Sequence, residues 1–312
     1  SIDLLKEVIF NPNVLNNHFD SDIFNLLKRD LELEVKSVKE QPKFYSMSRL
    51  MEVMNENLPS GYHGYCYLED LEKIDEYNLY KYYKQFLKSN LVDIYVVGDF
   101  DFSKMENLIR ESFKFDTLVK DKGSIFIEHK KIRKRCKKVI EEMDLKQSKL
   151  SIGLKYNNLT DFERGYVSNI YNMLLGGHSD SLLMKNVRSK ESLAYYIFSS
   201  LNKADNLIVI NSGIDSKNYE KAVKVIKKTL KEISSGKFSL EDIKKCQVEY
   251  ISSLTSVENS AGGLIDLTMS NHLKLADDVE MRKKKIMEVD KESIIEFSKK
   301  VSLDTIYLLK GE

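Results

Sequence analysis

GGHSDSLLMKNVRSKESLAYY, residues 176–196, is the stretch around which the rest of this chain is organised. Two glycines and a Ser179-Asp180-Ser181 cluster come first, then a helical run over Leu182–Val187, a charged turn and the start of an apolar strand. Arg188 and Tyr195 stand seven residues apart across that turn. A glycine pair beside polar residues is not what a hydrophobic core demands; turns of this kind place amides and side chains where another molecule can reach them. Composition alone favours the plainer reading, an ordinary connection between helix and strand, so the case depends on what surrounds the stretch.

The surroundings exclude several classes of function. The chain has 312 residues, 42% of them hydrophobic, which is globular material for about two domains. Its 49 basic and 48 acidic residues leave no overall field to draw it to nucleic acid or to an anionic membrane. No apolar run approaches the length of a membrane span, and SIDLLKEVIF has neither the basic region nor the cleavage site of a signal peptide. The 3 cysteines, Cys66, Cys136 and Cys246, are far apart and lack a CxxC pair, so they read as reduced thiols of a cytoplasmic protein.

Periodicity supplies the elements. Asp20 or Ser21 caps a helix whose Phe24, Leu27, Leu31, Val35 and Val38 form one stripe, expected to be buried. Met47, Leu50, Met51 and Met54 form a second helical stripe, and Leu91–Val97 reads as a buried strand closed by Gly98-Asp99. The charged stretch Phe115–Ser124 loses periodicity, and a linker is placed at 118–124. Beyond it, strands are expected at Ser124–Ile127, Lys137–Met143, Lys149–Tyr156, Ala194–Leu201, Asn206–Ile214 and Thr305–Lys310, with helices between them.

Two segments match. Ile74–Tyr82 and Val289–Phe297 are each an apolar residue, a capping aspartate and a helix leading into a strand that ends in Gly-acid, at an offset of 215 residues. This predicts a tandem repeat of one α/β unit. The expected class is α+β, with a mostly antiparallel sheet carrying helices on one face. Residues 1–117 would be the C-terminal part of a first unit and 125–312 a complete second unit. The offset implies that about 90 residues of the first unit lie outside this chain, leaving its strand unpartnered and an apolar face open.

Candidate chemistry is sparse. The 5 histidines are scattered, with neither HExxH nor HxxEH. His178 has the best setting, between the glycines and the Ser-Asp-Ser cluster. Gly177–Ser181 is not a G-x-S-x-G elbow, and no phosphate loop occurs. Lys130–Lys138 is the densest cationic run, but it lacks aromatic interleaving and adjoins Glu141-Glu142, so it reads as a solvated strand face.

The opening stretch resembles the second-unit signature of pitrilysin-type metallopeptidases, the inverzincins that include mitochondrial processing peptidase. The match runs through Gly176-Gly177, Ser181-Leu182-Leu183 and Asn186-Val187-Arg188-Ser189-Lys190-Glu191-Ser192-Leu193-Ala194-Tyr195. Ser192 stands where that family commonly has glycine. The resemblance implies the same duplicated architecture and is closest to bacterial members without the zinc motif. It implies that Arg188 and Tyr195 contact a peptide substrate, a guanidinium offering fixed donors to carbonyls and a phenol hydroxyl reaching the oxyanion. The family's zinc comes from HxxEH and a later Glu of the first unit. The place matching that Glu falls near Asn25–Leu27, where no carboxylate stands. No catalytic or metal-ligating residue is therefore expected in this chain, and zinc belongs to a zinc-bearing sister subunit, to another copy in a homo-oligomer, or to the missing segment. The expected function is a non-catalytic subunit in peptide binding. Its rivals are a fragment of an active zinc peptidase and a non-enzymatic scaffold or adaptor on the same fold.

Overall fold

The computed structural model describes residues 2–115, 126–129, 132–273 and 275–312. The expected linker 118–124 and the first residues of the strand expected at Ser124–Ile127 lie outside them; Ile127 is in no strand, and its N–H donates to the Ala204 carbonyl at 2.7 Å. Along the chain come α1 (Ile2–Phe10), a hairpin of β1 (Val14–Leu15) and β2 (His18–Phe19), α2 (Ser21–Ser37), α3 (Pro42–Met54), α4 (Leu68–Leu71), α5 (Glu76–Ser89) and α6 (Phe102–Ser112). Next are β3 (Lys137–Glu142), β4 (Ser148–Lys155) and a helix with α7 (Ser168–Asn172) at its centre, flanked by π-helical Glu163–Val167 and Met173–Gly177. A third π-helical segment, Met184–Lys190, leads into β5 (Ala194–Asn202) and β6 (Leu207–Ile214). The chain continues through α8 (Tyr219–Ser234), α9 (Leu240–Glu258), α10 (Ala261–His272), α11 (Val279–Ile286), α12 (Lys291–Lys300) and β7 (Ser302–Lys310).

Two compact units result, one formed by Ser1–Lys39 with His63–Ser124 and the other by Glu40–Tyr62 with Ile125–Glu312. Segment 40–62, on the first-unit side of the sequence boundary, thus makes its contacts with the second unit.

The second unit is a five-stranded sheet in the order β3-β7-β4-β6-β5, antiparallel except for the parallel pair β3 and β7. Alternation assigns the faces. Leu150, Ile152 and Leu154 of β4, with Ile208, Ile210, Ile306 and Leu308, join a continuous core with α7, α8 and α12. Ser151 and Gly153 point the other way, where α3 lies: Ser46 Oγ is 2.9 Å from Ser151 Oγ. A Cβ on Gly153 would sit 2.1 Å from the Met54 sulfur. The sheet therefore carries the expected helical layer on one face and, in addition, a single helix on the other.

The first unit is thin. Asp20 caps α2 and Asp75 caps α5 with a full capping box; Asp290 does the same for α12. The expected buried stripe of α2 is only partly covered. Phe24 is buried, but Leu27 is 61% exposed and lines an apolar groove of about 390 Å³ with Phe19, Ile23, Leu31 and Leu79. The buried strand expected at Leu91–Val97 does not form: no strand pairs with it among the described residues, and Val92, Ile94, Val96 and Val97 are exposed. The physical reason is the same in both places. A stripe or strand is buried only when something packs on it, and the described residues contain nothing that does.

Candidate functional site

The stretch 176–196 separates into residues that hold it and residues it displays. Gly176 presses against β5, where a Cβ would meet the Ser199 amide nitrogen at 2.8 Å, so this glycine is a packing requirement. Ser181, Leu183, Val187, Leu193 and Ala194 are buried. Asn186 Nδ2 donates to Thr229 Oγ1 at 3.0 Å and to Glu232 Oε2 at 3.1 Å on α8. Lys185 pairs with Asp180 at 3.2 Å and Asp242 at 3.1 Å. Most of the signature thus fastens the Met184–Lys190 helix to its neighbours.

Arg188 and Tyr195 are among the signature's exposed members, with Ser189, Lys190, Glu191 and Ser192; of these, Lys190 donates to Asn186 Oδ1 at 3.2 Å and Glu191 pairs with Lys221 at 2.8 Å. Arg188 is exposed near the end of that helix, its carbonyl accepting from the Ser192 amide at 3.0 Å, and its guanidinium has no partner among the described residues. Ser192 takes φ +48°, the left-handed conformation that glycine accepts without strain. The serine at this position therefore leaves the turn in the shape a glycine would give it. Tyr195 follows at a β-bulge: Ala194 pairs with Ile214 and Tyr196 with Gly213, which leaves Tyr195 as the extra residue. The bulge turns its side chain outward, 57% exposed, with its hydroxyl donating to Asp215 Oδ1 at 2.8 Å. That hydrogen bond and the Asp215 charge raise the phenol pKa, so the hydroxyl stays protonated. With its proton directed at Asp215, the oxygen presents its lone pairs outward. Arg188 and Tyr195 are not hydrogen-bonded to one another. Asp215, the partner that orients Tyr195, was missed in the sequence; it lies 20 residues away, and only the bulged register brings it there.

His178 is tethered. Its Nδ1 accepts from the Asp180 amide at 3.1 Å, and its Nε2 lies 3.5 Å from Cys246 Sγ. A histidine beside a thiol has the outline of a nucleophilic pair. Burial, however, pushes the Cys246 thiol up to about 12 and the His178 pKa down, so neither carries the charge such a pair needs at neutral pH. The contact is structural. The residues present also do not fit the family's zinc: the sequence has no HxxEH, and among the described residues no group of three His, Cys, Asp or Glu stands close enough to hold a metal ion.

The family model described as "Peptidase M16 inactive domain" matches residues 73–249, more than half the chain. The chain belongs to this family. A Bacillus subtilis (strain 168) relative named "Probable inactive metalloprotease YmfF" is 33% identical over 312 residues, covering 99% of this chain and 72% of the relative. Among solved structures, a conserved protein from Enterococcus faecalis V583 superposes with a TM-score of 0.91 at 26% identity, over 100% of this chain and 73% of that one. The peptidase M16 inactive domain from Pseudomonas fluorescens gives a TM-score of 0.77 at 17% identity, over 100% of this chain and 74% of that one, which shows the shared fold. The expected resemblance is thereby established. Among the described residues, no helix is long and apolar enough to cross a membrane.

Proposed function

We propose that this chain is a non-catalytic, cytoplasmic subunit of a peptidase assembly, presenting Arg188 and Tyr195 to a peptide beside a zinc-bearing partner. The observation that carries the reading is Arg188 itself, an exposed guanidinium without a partner among the described residues, in a signature whose other members are mostly fastened inward. Its fixed N–H donors suit backbone carbonyls of an extended peptide. Tyr195, held by Asp215, offers an acceptor to a peptide N–H, and on leaving Asp215 it offers its proton to a developing oxyanion. Neither group cleaves an amide by itself, and no step is assigned to a metal in this chain. The family's inactive-domain description and the printed name of the Bacillus relative agree with a non-catalytic role.

The test is peptide cleavage by the full-length protein with its co-purified partner, comparing native protein with Arg188→Ala and Tyr195→Ala. We expect kcat/KM to fall about 10- to 100-fold for each, as for loss of a transition-state donor. Unchanged cleavage sinks the subunit reading and leaves a scaffold or adaptor. The gene's upstream sequence decides the other rival: an HxxEH motif with a carboxylate on the helix that contains Asn25–Leu27 makes the chain part of an active peptidase.

A further inference from the structure

On the α3 side of the second unit, the sheet is covered by that helix next to β4 and β7 but left open towards β5. A cavity of about 810 Å³ occupies the opening, between the start of α3 and the strands. Three lysines line it: Lys43 from α3, and Lys146 and Lys149 from the start of β4 and the turn before it. No carboxylate lines the cavity, and none of the three has one as a partner among the described residues. Two of them lie over aromatic rings, and Lys149 Nζ also donates to Gln147 Oε1 at 2.5 Å. Lys43 Nζ is 4.7 Å from the Phe198 ring centre and 5.3 Å from that of Tyr196, and Lys149 Nζ is 5.8 Å from Tyr196.

Two neutral features point the same way. Asn211 is buried in the cavity wall. Its Oδ1 accepts from Ser151, but its Nδ2 has only the Met47 sulfur, 4.0 Å away. A thioether at that distance is a poor acceptor, so an N–H donor is left without a good partner facing the cavity. Gln41, the N-cap of α3, makes no side-chain cap bond, so the first turn of that helix also presents amide donors here. Burial, and after it the nearby Lys43 charge, lower the Lys149 pKa.

We propose that this cavity is an anion subsite that takes the carboxylate side chains of an acidic peptide. The proposal deepens the peptide-binding reading and rests on it, naming the kind of residue the peptide carries. Carboxylates would meet the ammonium groups and the Asn211 amide, aliphatic parts would lie on Phe198, and Gln41 and Gln147 would bond the backbone.

Fluorescence anisotropy on the full chain tests it, with a labelled, C-terminally amidated glutamate-rich peptide, its glutamine analogue, and the glutamine analogue with a free C-terminal carboxylate. The glutamate peptide is expected to bind about tenfold or more tightly than either glutamine analogue, and more weakly as salt shortens the screening length. Lys43→Ala with Lys149→Ala should weaken binding about tenfold or more, while Lys43→Arg with Lys149→Arg retains it. An unchanged thermal midpoint excludes a folding defect. Equal binding of the amidated glutamine analogue, or full binding by the double alanine variant, overturns the proposal. Binding of the free-carboxylate analogue alone overturns the side-chain assignment in favour of a peptide terminus. Arg188→Ala with Tyr195→Ala in the same assay separates the two readings. Loss there with none in the lysine variant sinks the subsite and keeps the earlier reading, and the reverse keeps the subsite alone.

Discussion

Ser192 carries a conformational cost set by its backbone. At φ +48° a residue with a Cβ is strained by about 1–2 kcal/mol, and glycine in its place gives back about 0.5–1 kcal/mol in unfolded-chain entropy. Ser192→Gly should therefore stabilise the second unit by about 0.5–1 kcal/mol, read from a denaturant midpoint at constant slope. A loss of stability would show that the serine side chain holds the turn. At this scale the sequence was legible in its identities and not in its partners. Arg188 and Tyr195 could be picked out because the signature around them is dense. Asp215 beneath Tyr195 could not, since a bulge one residue long determines which strand position faces it. Lys43 and Lys149 were invisible as a pair: they are distant in sequence, and only the docking of a helix on a sheet brings them to one cavity.

Among the elements, α3 is where periodicity told half the story. Met47, Leu50, Met51 and Met54 announced a helix, but a stripe does not say which sheet it will meet. Polar groups set that docking as much as apolar ones. Glu141 on β3 accepts from Tyr45 at 2.5 Å, from Tyr307 at 2.7 Å and from Arg49 at 3.3 Å. Burial alone would raise its pKa. The hydrogen bonds from Tyr307 and Tyr45, with the Arg49 charge, hold it below the usual carboxylate range instead. Its contribution is thus present at neutral pH and lost as pH falls through that lowered value. Leu50, with 0% exposure, is the apolar anchor. Leu50→Ala should cost about 2–5 kcal/mol of second-unit stability and loosen the lysine cavity. A cost below about 1 kcal/mol would mean that α3 rests on the sheet without holding it. The α2 stripe and Leu91–Val97 differ from expectation for a related reason: their patterns describe a burial that the described residues do not complete.

Over the whole molecule, the two units differ in how much they bury. In the first unit, Phe24 and Leu71 are the buried apolar side chains among the described residues, whereas the second holds a continuous core across all three inner strands. Local stability follows burial, so the amides of α2 and α5 should exchange with solvent at least about 100-fold faster than those of β4 and β6. Hydrogen exchange resolved by peptide would show it, and equal protection would refute the unequal partition. A slowing confined to the first unit when a partner is added would identify what the open α2 groove receives. The tandem repeat is our reading of how the units arose, supported by the matched Asp75 and Asp290 capping boxes.

The parallel pair β3 and β7 has one more consequence, in the order of assembly. Lys137 lies opposite Thr305, so the sheet closes across almost the whole second unit. During synthesis β3 and β4 leave the ribosome early, yet the strand that sits between them is made after every other strand described here. Until it emerges, β3 has no neighbour, and one edge of β4 stays bare while α8 to α12 form around an unfinished layer. Such long-range closure predicts slow folding and a nascent chain that depends on holdase protection. Losing the nine residues of β7 would cost far more than nine residues' worth of contacts, because it would split the sheet.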